Sequence, residues 1–187
     1  KEFEEGRELS IKPDLKEMFT LGPYDEASGM PSPQWPSTPD GFKEKELNYY
    51  MAMEDLAAIL LKGFTLALDL PLDFFEDKMK GHCSAMRTLN YPHVNPDLIE
   101  EGQLRASVHT DYGILTILRQ DNAPGGLQVQ NRHTKEWINV PQIPNAFVIN
   151  LGDLMSRWTN DRWTSTPHRV VPPPRNIDGS TRRQSIA

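Results

Sequence analysis

The sequence predicts a mainly β protein, a jelly roll of short strands against which helices pack. Its 187 residues are the length of one domain, and its hydrophobic share of 37% is enough for a buried core. A long stretch at residues 42–70 carries apolar side chains at helical spacing. From residue 84 onward, short β-type runs recur between Gly, Pro and Asn residues at intervals of about ten residues. Many short strands with helices on one side indicate a jelly roll.

Residues 1–40 are predicted to be irregular. Charged side chains dominate residues 1–17, and proline then recurs at Pro23, Pro31, Pro33, Pro36 and Pro39. Because proline fixes φ and lacks an amide donor, neither a helix nor a central strand fits this stretch. The segment is therefore either a surface linker or a long loop that lies over a site.

The clearest helix is predicted over residues 42–70. Asp40 is its predicted N-cap, Pro71 ends the run, and Asp73 is predicted to cap a second, short helix over residues 74–79. One apolar stripe follows the long helix and consists of Tyr49, Met53, Leu56, Ala57, Leu60, Phe64, Ala67 and Leu68. We interpret these side chains as core, with no role in binding a cofactor.

Eight strands are predicted after residue 84, with no internal repeat. They are Met86–Tyr91, Leu104–Val108, Ile114–Arg119, Leu127–Gln130, Trp137–Val140, Ala146–Asn150, His168–Val171 and Arg183–Ala187. The proline-rich stretch from residue 171 to residue 180 is predicted to be a loop between the last two strands.

Charge and cysteine content exclude several classes of protein. The net charge of −6 argues against a general nucleic-acid binder, and no apolar run reaches the roughly 18 residues of a membrane helix. The single cysteine, Cys83, excludes a disulfide framework and a cysteine-rich zinc site, and it favours a reducing, cytoplasmic compartment. The chain starts at Lys1 and stops at Ala187 within an apolar run. We therefore expect a fragment that is trimmed at both ends.

Two histidines and one aspartate form the candidate metal site. His109 and Asp111 stand two residues apart at the end of a predicted strand, so their side chains project to the same face. His168 opens another predicted strand. Two histidines and one carboxylate on neighbouring strands form a facial triad, which leaves coordination positions open and suits non-haem Fe(II). Zinc accepts the same ligand set, so the residues alone leave both metals possible.

Arg183 and Ser185 form a second candidate feature. Two residues apart on a predicted strand, they share a face. A guanidinium beside a hydroxyl binds a carboxylate well, because the arginine can donate two charge-assisted hydrogen bonds. The alternative is a solvent-exposed basic pair, Arg182 and Arg183, at the start of a strand.

Six ordered motifs carry a family resemblance. They are His109-Thr110-Asp111-Tyr112-Gly113, Gly125-Gly126-Leu127-Gln128-Val129, Asn150-Leu151-Gly152-Asp153, Arg157-Trp158-Thr159-Asn160, Ser165-Thr166-Pro167-His168-Arg169-Val170 and Arg183-Gln184-Ser185. Over roughly residues 85–187 the chain resembles the isopenicillin N synthase-like branch of the 2-oxoglutarate and Fe(II)-dependent oxygenases. The resemblance implies a double-stranded β-helix. Residues 1–83 would be a lead-in that packs on the barrel, and residues 84–187 would be a jelly-roll core that is incomplete at its C-terminus.

The resemblance also implies a cofactor and a reaction. His109, Asp111 and His168 would be the iron ligands. 2-Oxoglutarate would be the co-substrate, and its oxidative decarboxylation with O₂ would drive hydroxylation, desaturation or cyclisation of a small organic substrate. We expect neither a nucleic-acid partner nor a membrane. Asn150 and Gly152 are interpreted, with Asp153, as turn and packing residues.

The co-substrate contacts follow from the same resemblance. Arg183 and Ser185 would hold the distal carboxylate of 2-oxoglutarate, and Tyr91 matches a tyrosine that commonly helps to bind it. Plant members usually read Asn-Tyr-Tyr-Pro at this point, whereas Leu89 occupies the asparagine position here.

Two other functions stay open on the sequence. Isopenicillin N synthase resembles the same family and oxidises its substrate without 2-oxoglutarate. A jelly roll can also serve as a binding module without turnover.

Overall fold

The computed structural model describes residues 12–23, 33–123, 126–174 and 179–187, apart from the side chain of Pro96. Within these ranges the chain forms nine strands, three α-helices and one 3-10 turn. Pro31 and Gly125, named above, lie outside the described residues.

Most helical residues lie between the first strand and the second. The strands are β1 (Glu17–Leu21), β2 (Met86–Tyr91), β3 (Ala106–His109), β4 (Leu115–Gln120), β5 (Leu127–Gln130), β6 (Trp137–Asn139), β7 (Phe147–Leu151), β8 (His168–Val170) and β9 (Arg183–Ile186). The helices are α1 (Phe42–Ala67), α2 (Glu76–Met79) and α3 (Asp153–Trp158), and the 3-10 turn is Pro96–Leu98.

The strands form two antiparallel sheets. The larger sheet has the order β1-β2-β9-β4-β7, and the smaller has the order β3-β8-β5-β6. Several neighbours within each sheet are distant in sequence, because β9 lies between β2 and β4 while β8 lies between β3 and β5. Crossing connections of this kind between two antiparallel sheets make the jelly roll that the sequence predicts.

Side-chain alternation on β2 separates two layers of core. Met86 and Thr88 face α1, where the Thr88 hydroxyl donates a 2.9 Å hydrogen bond to a carboxylate oxygen of Glu46. Leu89 and Tyr91 project to the opposite face and pack with buried residues of the smaller sheet. The period of two in an extended chain thus places one face of the larger sheet under the helix and the other between the sheets.

Helix α1 confirms part of the predicted stripe as core, because Tyr49, Phe64 and Leu68 pack against buried clusters, but the most buried residues of the helix are others. Its buried residues are Tyr50, Leu61 and Thr65, whereas the predicted stripe residues are only partly buried or exposed. The burial of Thr65 was not predicted because its side chain is polar. Its hydroxyl donates a 2.7 Å hydrogen bond to the carbonyl of Lys62. A hydroxyl that is satisfied within its own helix can be buried at little cost.

The prediction that residues 1–40 are irregular is wrong at β1. Glu17–Leu21 pairs with β2 along its whole length, and Leu21 is fully buried. The strand lies at the edge of its sheet and contains no proline, since it falls between Pro13 and Pro23, so neither missing proline donors nor fixed φ angles oppose it.

Several predicted helix boundaries are also wrong. The N-cap of α1 is Gly41, with a left-handed backbone, and not Asp40; the helix ends at Ala67 and not at residue 70. Helix α2 begins only at Glu76, whose amide is bonded to the carbonyl of Asp73. The short helix α3, which no sequence pattern indicated, follows β7 directly.

None of the helices among the described residues is both long enough and apolar enough to cross a membrane.

Candidate functional site

The two predicted histidine ligands are direct neighbours across two strands. β3 pairs antiparallel with β8, and His109 stands opposite His168. The register shifts between Ala106 and His109, which is the kind of irregularity that re-aims a side chain near a site. The two ring centroids are 4.2 Å apart, so a 59-residue separation in the sequence becomes a contact.

Asp111 reaches the histidines from the turn after β3. Its backbone carbonyl accepts a 2.7 Å hydrogen bond from the amide of Asp153, in the first turn of α3. The amide of Leu154 bonds to the carbonyl of Gly113 at 3.1 Å. The free amides at the start of α3 therefore hold the 111–113 turn in place.

The ligand atoms of the three residues converge. Oδ1 of Asp111 lies 4.0 Å from Nε2 of His109 and 3.7 Å from Nε2 of His168. All three ligand atoms lie within 4.8 Å of one another. Two atoms that each bind one ion at about 2.1 Å can be at most about 4.2 Å apart, so the two distances to Oδ1 lie within the reach of a single ion. The triad predicted from sequence is thus brought together.

Hydrogen bonds leave the converging atoms free. Nδ1 of His109 lies 2.7 Å from the carbonyl oxygen of Ser107, and Nδ1 of His168 lies 3.0 Å from that of Thr166. A carbonyl only accepts, so each Nδ1 carries a proton, and in the neutral form of each ring the lone pair is on Nε2, where a metal ion can bind. The side chain of His109 is 46% exposed and that of His168 is 15% exposed, so the group opens to solvent on the His109 side.

The other oxygen of Asp111 is held by two donors. Oδ2 accepts a 2.6 Å hydrogen bond from the Thr116 hydroxyl and a 2.8 Å bond from the Asn150 amide. These bonds orient the carboxylate and leave Oδ1 for an ion. The sequence interpretation of Asn150 as a turn and packing residue is therefore wrong. Asn150 lies in β7, and its side chain donates a hydrogen bond that orients the Asp111 carboxylate.

The same contacts keep Asp111 ionised. Burial alone would raise the pKa of its carboxyl, but the bonds from Thr116 and Asn150 and the proximity of His168 and His109 outweigh burial. The net pKa lies below the usual value of 3.8. A carboxylate in this state is a metal ligand without having to lose a proton first.

Arg183 is buried in the larger sheet, not exposed as a basic pair. It is 1% exposed, and its guanidinium lies 4.8 Å from the centre of the Tyr91 ring. Its Nη1 lies 3.3 Å from the Ser185 hydroxyl, and its Nη2 donates a 2.7 Å bond to Oε1 of Gln120. Its buried Nε has no acceptor among the described residues. The three residues predicted to bind the co-substrate, Tyr91, Arg183 and Ser185, therefore form one cluster, in which the Nε donor of Arg183 is unused.

A sequence profile of the 2OG-Fe(II) oxygenase superfamily matches residues 82–187. The chain belongs to this superfamily. That span includes the triad and the Arg183 cluster, and membership in the isopenicillin N synthase-like branch is compatible with the match.

Relatives of this oxygenase superfamily chain cover most of its length. The 2-oxoglutarate-Fe(II) type oxidoreductase hxnY of Emericella nidulans is 38% identical over 177 residues, which is 88% of this chain and 50% of that protein. The crystal structure of a full-length Neurospora crassa protein in complex with alpha-KG superimposes with a TM-score of 0.86 at 37% identity, over 95% of this chain and 55% of the other. The structure of JOX2 with 2OG, Fe and JA gives a TM-score of 0.76 at 28% identity, over 92% and 48%.

The chain spans about half the length of the curated relatives it matches.

One residue that contacts Arg183, Gln120, was not predicted. Gln120 on β4 is opposite Ser185 on β9, which brings its amide oxygen to Arg183. Leu89, at the position where plant members of the superfamily usually have asparagine, is also opposite Ser185 and is buried. An apolar side chain therefore replaces an amide beside the Ser185 hydroxyl.

The triad and the Arg183 cluster belong to different sheets but face the same interior. His168 and Val170 are two residues apart on β8 and project to one face. Val170 packs in the core cluster that contains Tyr91, and Tyr91 lies against Arg183. The space between the sheets thus joins the two groups of polar residues.

Proposed function

We propose that the chain is a non-haem Fe(II) oxygenase that uses 2-oxoglutarate and O₂ to oxidise a small organic substrate. The observation that carries the proposal is the convergence of one carboxylate and two imidazole atoms, without hydrogen-bond partners among the described residues, in a member of this superfamily. The relatives named for 2-oxoglutarate and the solved complexes with alpha-KG support the choice of co-substrate.

The residues fit an Fe(II) ion. His109, Asp111 and His168 supply two neutral nitrogens and one anionic oxygen, the set that binds non-haem iron on one face and leaves the other face for further ligands. Oδ2 of Asp111 is occupied by two hydrogen bonds, so the carboxylate would bind through Oδ1 alone.

The Arg183 cluster fits a carboxylate. A buried guanidinium normally has a charged partner, yet Arg183 contacts only a hydroxyl, an amide oxygen and an aromatic ring among the described residues. A carboxylate would accept from Arg183 and Ser185 and offset the cost of the buried charge.

When bound, iron and 2-oxoglutarate would supply the oxidising chemistry, in which O₂ would be the oxidant of both the co-substrate, giving succinate and CO₂, and the substrate, which would be hydroxylated, desaturated or cyclised. The side chains of the chain bind and orient. Thr116 and Asn150 fix the Asp111 carboxylate, the carbonyls of residues 107 and 166 fix the imidazoles, and Arg183 neutralises the distal carboxylate.

The ligand assignment is tested with His109→Ala and Asp111→Ala. We expect Fe(II) affinity under anaerobic conditions to fall at least about 100-fold in both, because each change removes a ligand atom. Succinate formation from 2-oxoglutarate should disappear with it. The control is His133→Ala, an exposed histidine in the turn between β5 and β6. Full iron binding in either ligand variant would refute the assignment. Selective binding of zinc by the unmodified chain would favour the other metal.

The co-substrate assignment is tested separately. Oxygen uptake by the unmodified chain should require 2-oxoglutarate, and Arg183→Ala should need far more of it. Uptake that proceeds without 2-oxoglutarate would instead support an oxidase of the isopenicillin N synthase type. Iron binding without any oxygen uptake, across a broad metabolite screen, would support a binding module.

We also propose, from the residues, a lead-in at 1–83 followed by a jelly-roll core at 84–187.

The single free cysteine, Cys83, supports a reducing and cytoplasmic compartment. The acidic net charge of −6 supports a small-molecule partner over a nucleic acid.

A further inference from the structure

A second arginine, Arg105, is buried beside the site. It directly precedes β3, its side chain is 0% exposed, and no sequence pattern marked it. Its Nη2 donates to the carbonyl of Thr181 at 2.6 Å and to that of Pro92 at 3.3 Å. Its Nε and Nη1 are buried and have no acceptor among the described residues. Three of the five donor hydrogens of this guanidinium therefore lack a partner.

The positive charge of Arg183 acts on Arg105. Burial lowers the pKa of Arg105, and the positive charge of Arg183 lowers it further, while Tyr91 and Asp121 act in the opposite direction. No carboxylate lies within ion-pair distance of either guanidinium among the described residues. Two buried cations with unused donors are costly for a fold unless an anion joins them.

We propose that Arg105 is a second cation of the co-substrate site and that, with Arg183, it makes the site selective for 2-oxo acids that carry a second carboxylate. This inference rests on the proposed function. Arg183 faces the carboxylate from β9, and Arg105 adds a positive charge from the start of β3, on the other sheet. A dicarboxylate brings one negative charge to the iron and one to this arginine pair, whereas a monocarboxylate leaves the pair unneutralised.

A purely structural role for Arg105 predicts a different result. The Nη2 bonds tie together the chain at residue 92 and the chain at residue 181, and any loss of these ties would loosen the site for every ligand. A charge role affects only the ligand with the distal carboxylate. The ratio of two affinities therefore separates the roles, because a loosened fold changes both affinities alike.

The experiment measures the dissociation constants of 2-oxoglutarate and 2-oxobutyrate by anaerobic calorimetry on the Fe(II)-loaded chain. 2-Oxobutyrate has the same chelating end and lacks the distal carboxylate. The variants are Arg105→Gln, which keeps a donor for the carbonyls but loses the charge, and Arg105→Lys, which keeps the charge. The control is Arg182→Gln, an exposed neighbour of Arg183 that bonds to Asn90.

We expect Arg105→Gln to lower the preference for 2-oxoglutarate over 2-oxobutyrate by about tenfold or more, as befits a lost charge-assisted interaction. Arg105→Lys and Arg182→Gln should keep the preference within about twofold. An unchanged preference in Arg105→Gln, or an equal loss in Arg105→Lys, would overturn the inference. If Arg105→Gln does not fold, Arg105→Met, which keeps a side chain of similar length and loses the charge, replaces it under the same criterion. Failure of the unmodified chain to bind 2-oxoglutarate would overturn the proposed function instead.

Discussion

Gly152, between β7 and α3, stands where two stretches of backbone touch. A Cβ built on it would lie 2.7 Å from the carbonyl carbon of Gly113 and 2.9 Å from the carbonyl oxygen of Asp111, with the Gly113 oxygen closer still. Its φ of −100° suits any residue, so close approach and not backbone conformation requires glycine here. We predict that Gly152→Ala displaces the turn that carries Asp111.

The size of the effect follows from these distances. Both contacts are about half an ångström or more inside the usual van der Waals separation, and backbone atoms cannot rotate away. Overpacking of this kind costs about 1–3 kcal/mol of unfolding free energy. Bond lengths in a metal site stay within about 0.2 Å of their usual values, so a shift of the Asp111 turn away from the histidines should also weaken Fe(II) binding by about 10- to 100-fold.

Two measurements test this prediction, urea unfolding and anaerobic Fe(II) titration. The matched control is Gly63→Ala within α1, where an added Cβ meets nothing within 4 Å. That control should gain up to about 1 kcal/mol of stability, because alanine favours a helix over glycine, and its iron affinity should not change. If Gly152→Ala retained both stability and iron affinity, the argument that close backbone contact positions Asp111 would be refuted.

Two further predictions concern hydrogen bonds. Thr116→Val removes the 2.6 Å bond to Oδ2 of Asp111 and should lower Fe(II) affinity by about tenfold in calorimetry, whereas Thr134→Val, the same change in an exposed turn, should have no effect. Tyr50→Phe removes a bond to the Ser84 carbonyl and should cost about 1 kcal/mol in urea unfolding at pH 8. Burial raises the pKa of Tyr50 from 10.0 to about 12, so above pH 10 the unfolded tyrosine ionises first and the unmodified chain loses stability. The difference between the two chains should therefore shrink toward pH 12; a constant difference would contradict it.

Strands with clear punctuation were predictable from sequence. β2 and β5 have the predicted bounds, because alternating or apolar runs end there at a proline or a polar turn. β1 was not predictable, since Glu17–Leu21 is short, half exposed and adjacent to a proline-rich stretch. Only pairing with β2 and burial of Leu21 stabilise it as a strand, and both are tertiary effects.

The residues that surround the site were less predictable than the triad. His109 and Asp111 are two residues apart, so the local sequence keeps them close, although β3 ends at His109 and Asp111 lies in the following turn. Asn150, by contrast, is 39 residues from Asp111, and Gln120 is 63 residues from Arg183. Such contacts depend on which strands become neighbours. One local signal did exist, because Thr116 follows Asp111 by five residues in the next strand.

The two halves of the site differ in how completely the protein satisfies them. Around the triad, both imidazole Nδ1 atoms and Oδ2 of Asp111 have partners, so three atoms remain and their geometry exists before any ion arrives. Around Arg183 and Arg105, buried donors have no acceptor among the described residues. Ligand orientation in the first half is therefore built into the fold, since its hydrogen bonds do not need the metal. In the second half the fold does not neutralise the charge, because the two buried guanidinium groups need an anion that those residues do not provide. An oxygenase that must release its spent co-substrate after each turnover would need this difference. Its metal ligands would be oriented permanently, whereas its anion site would have no carboxylate of the chain to compete with the co-substrate.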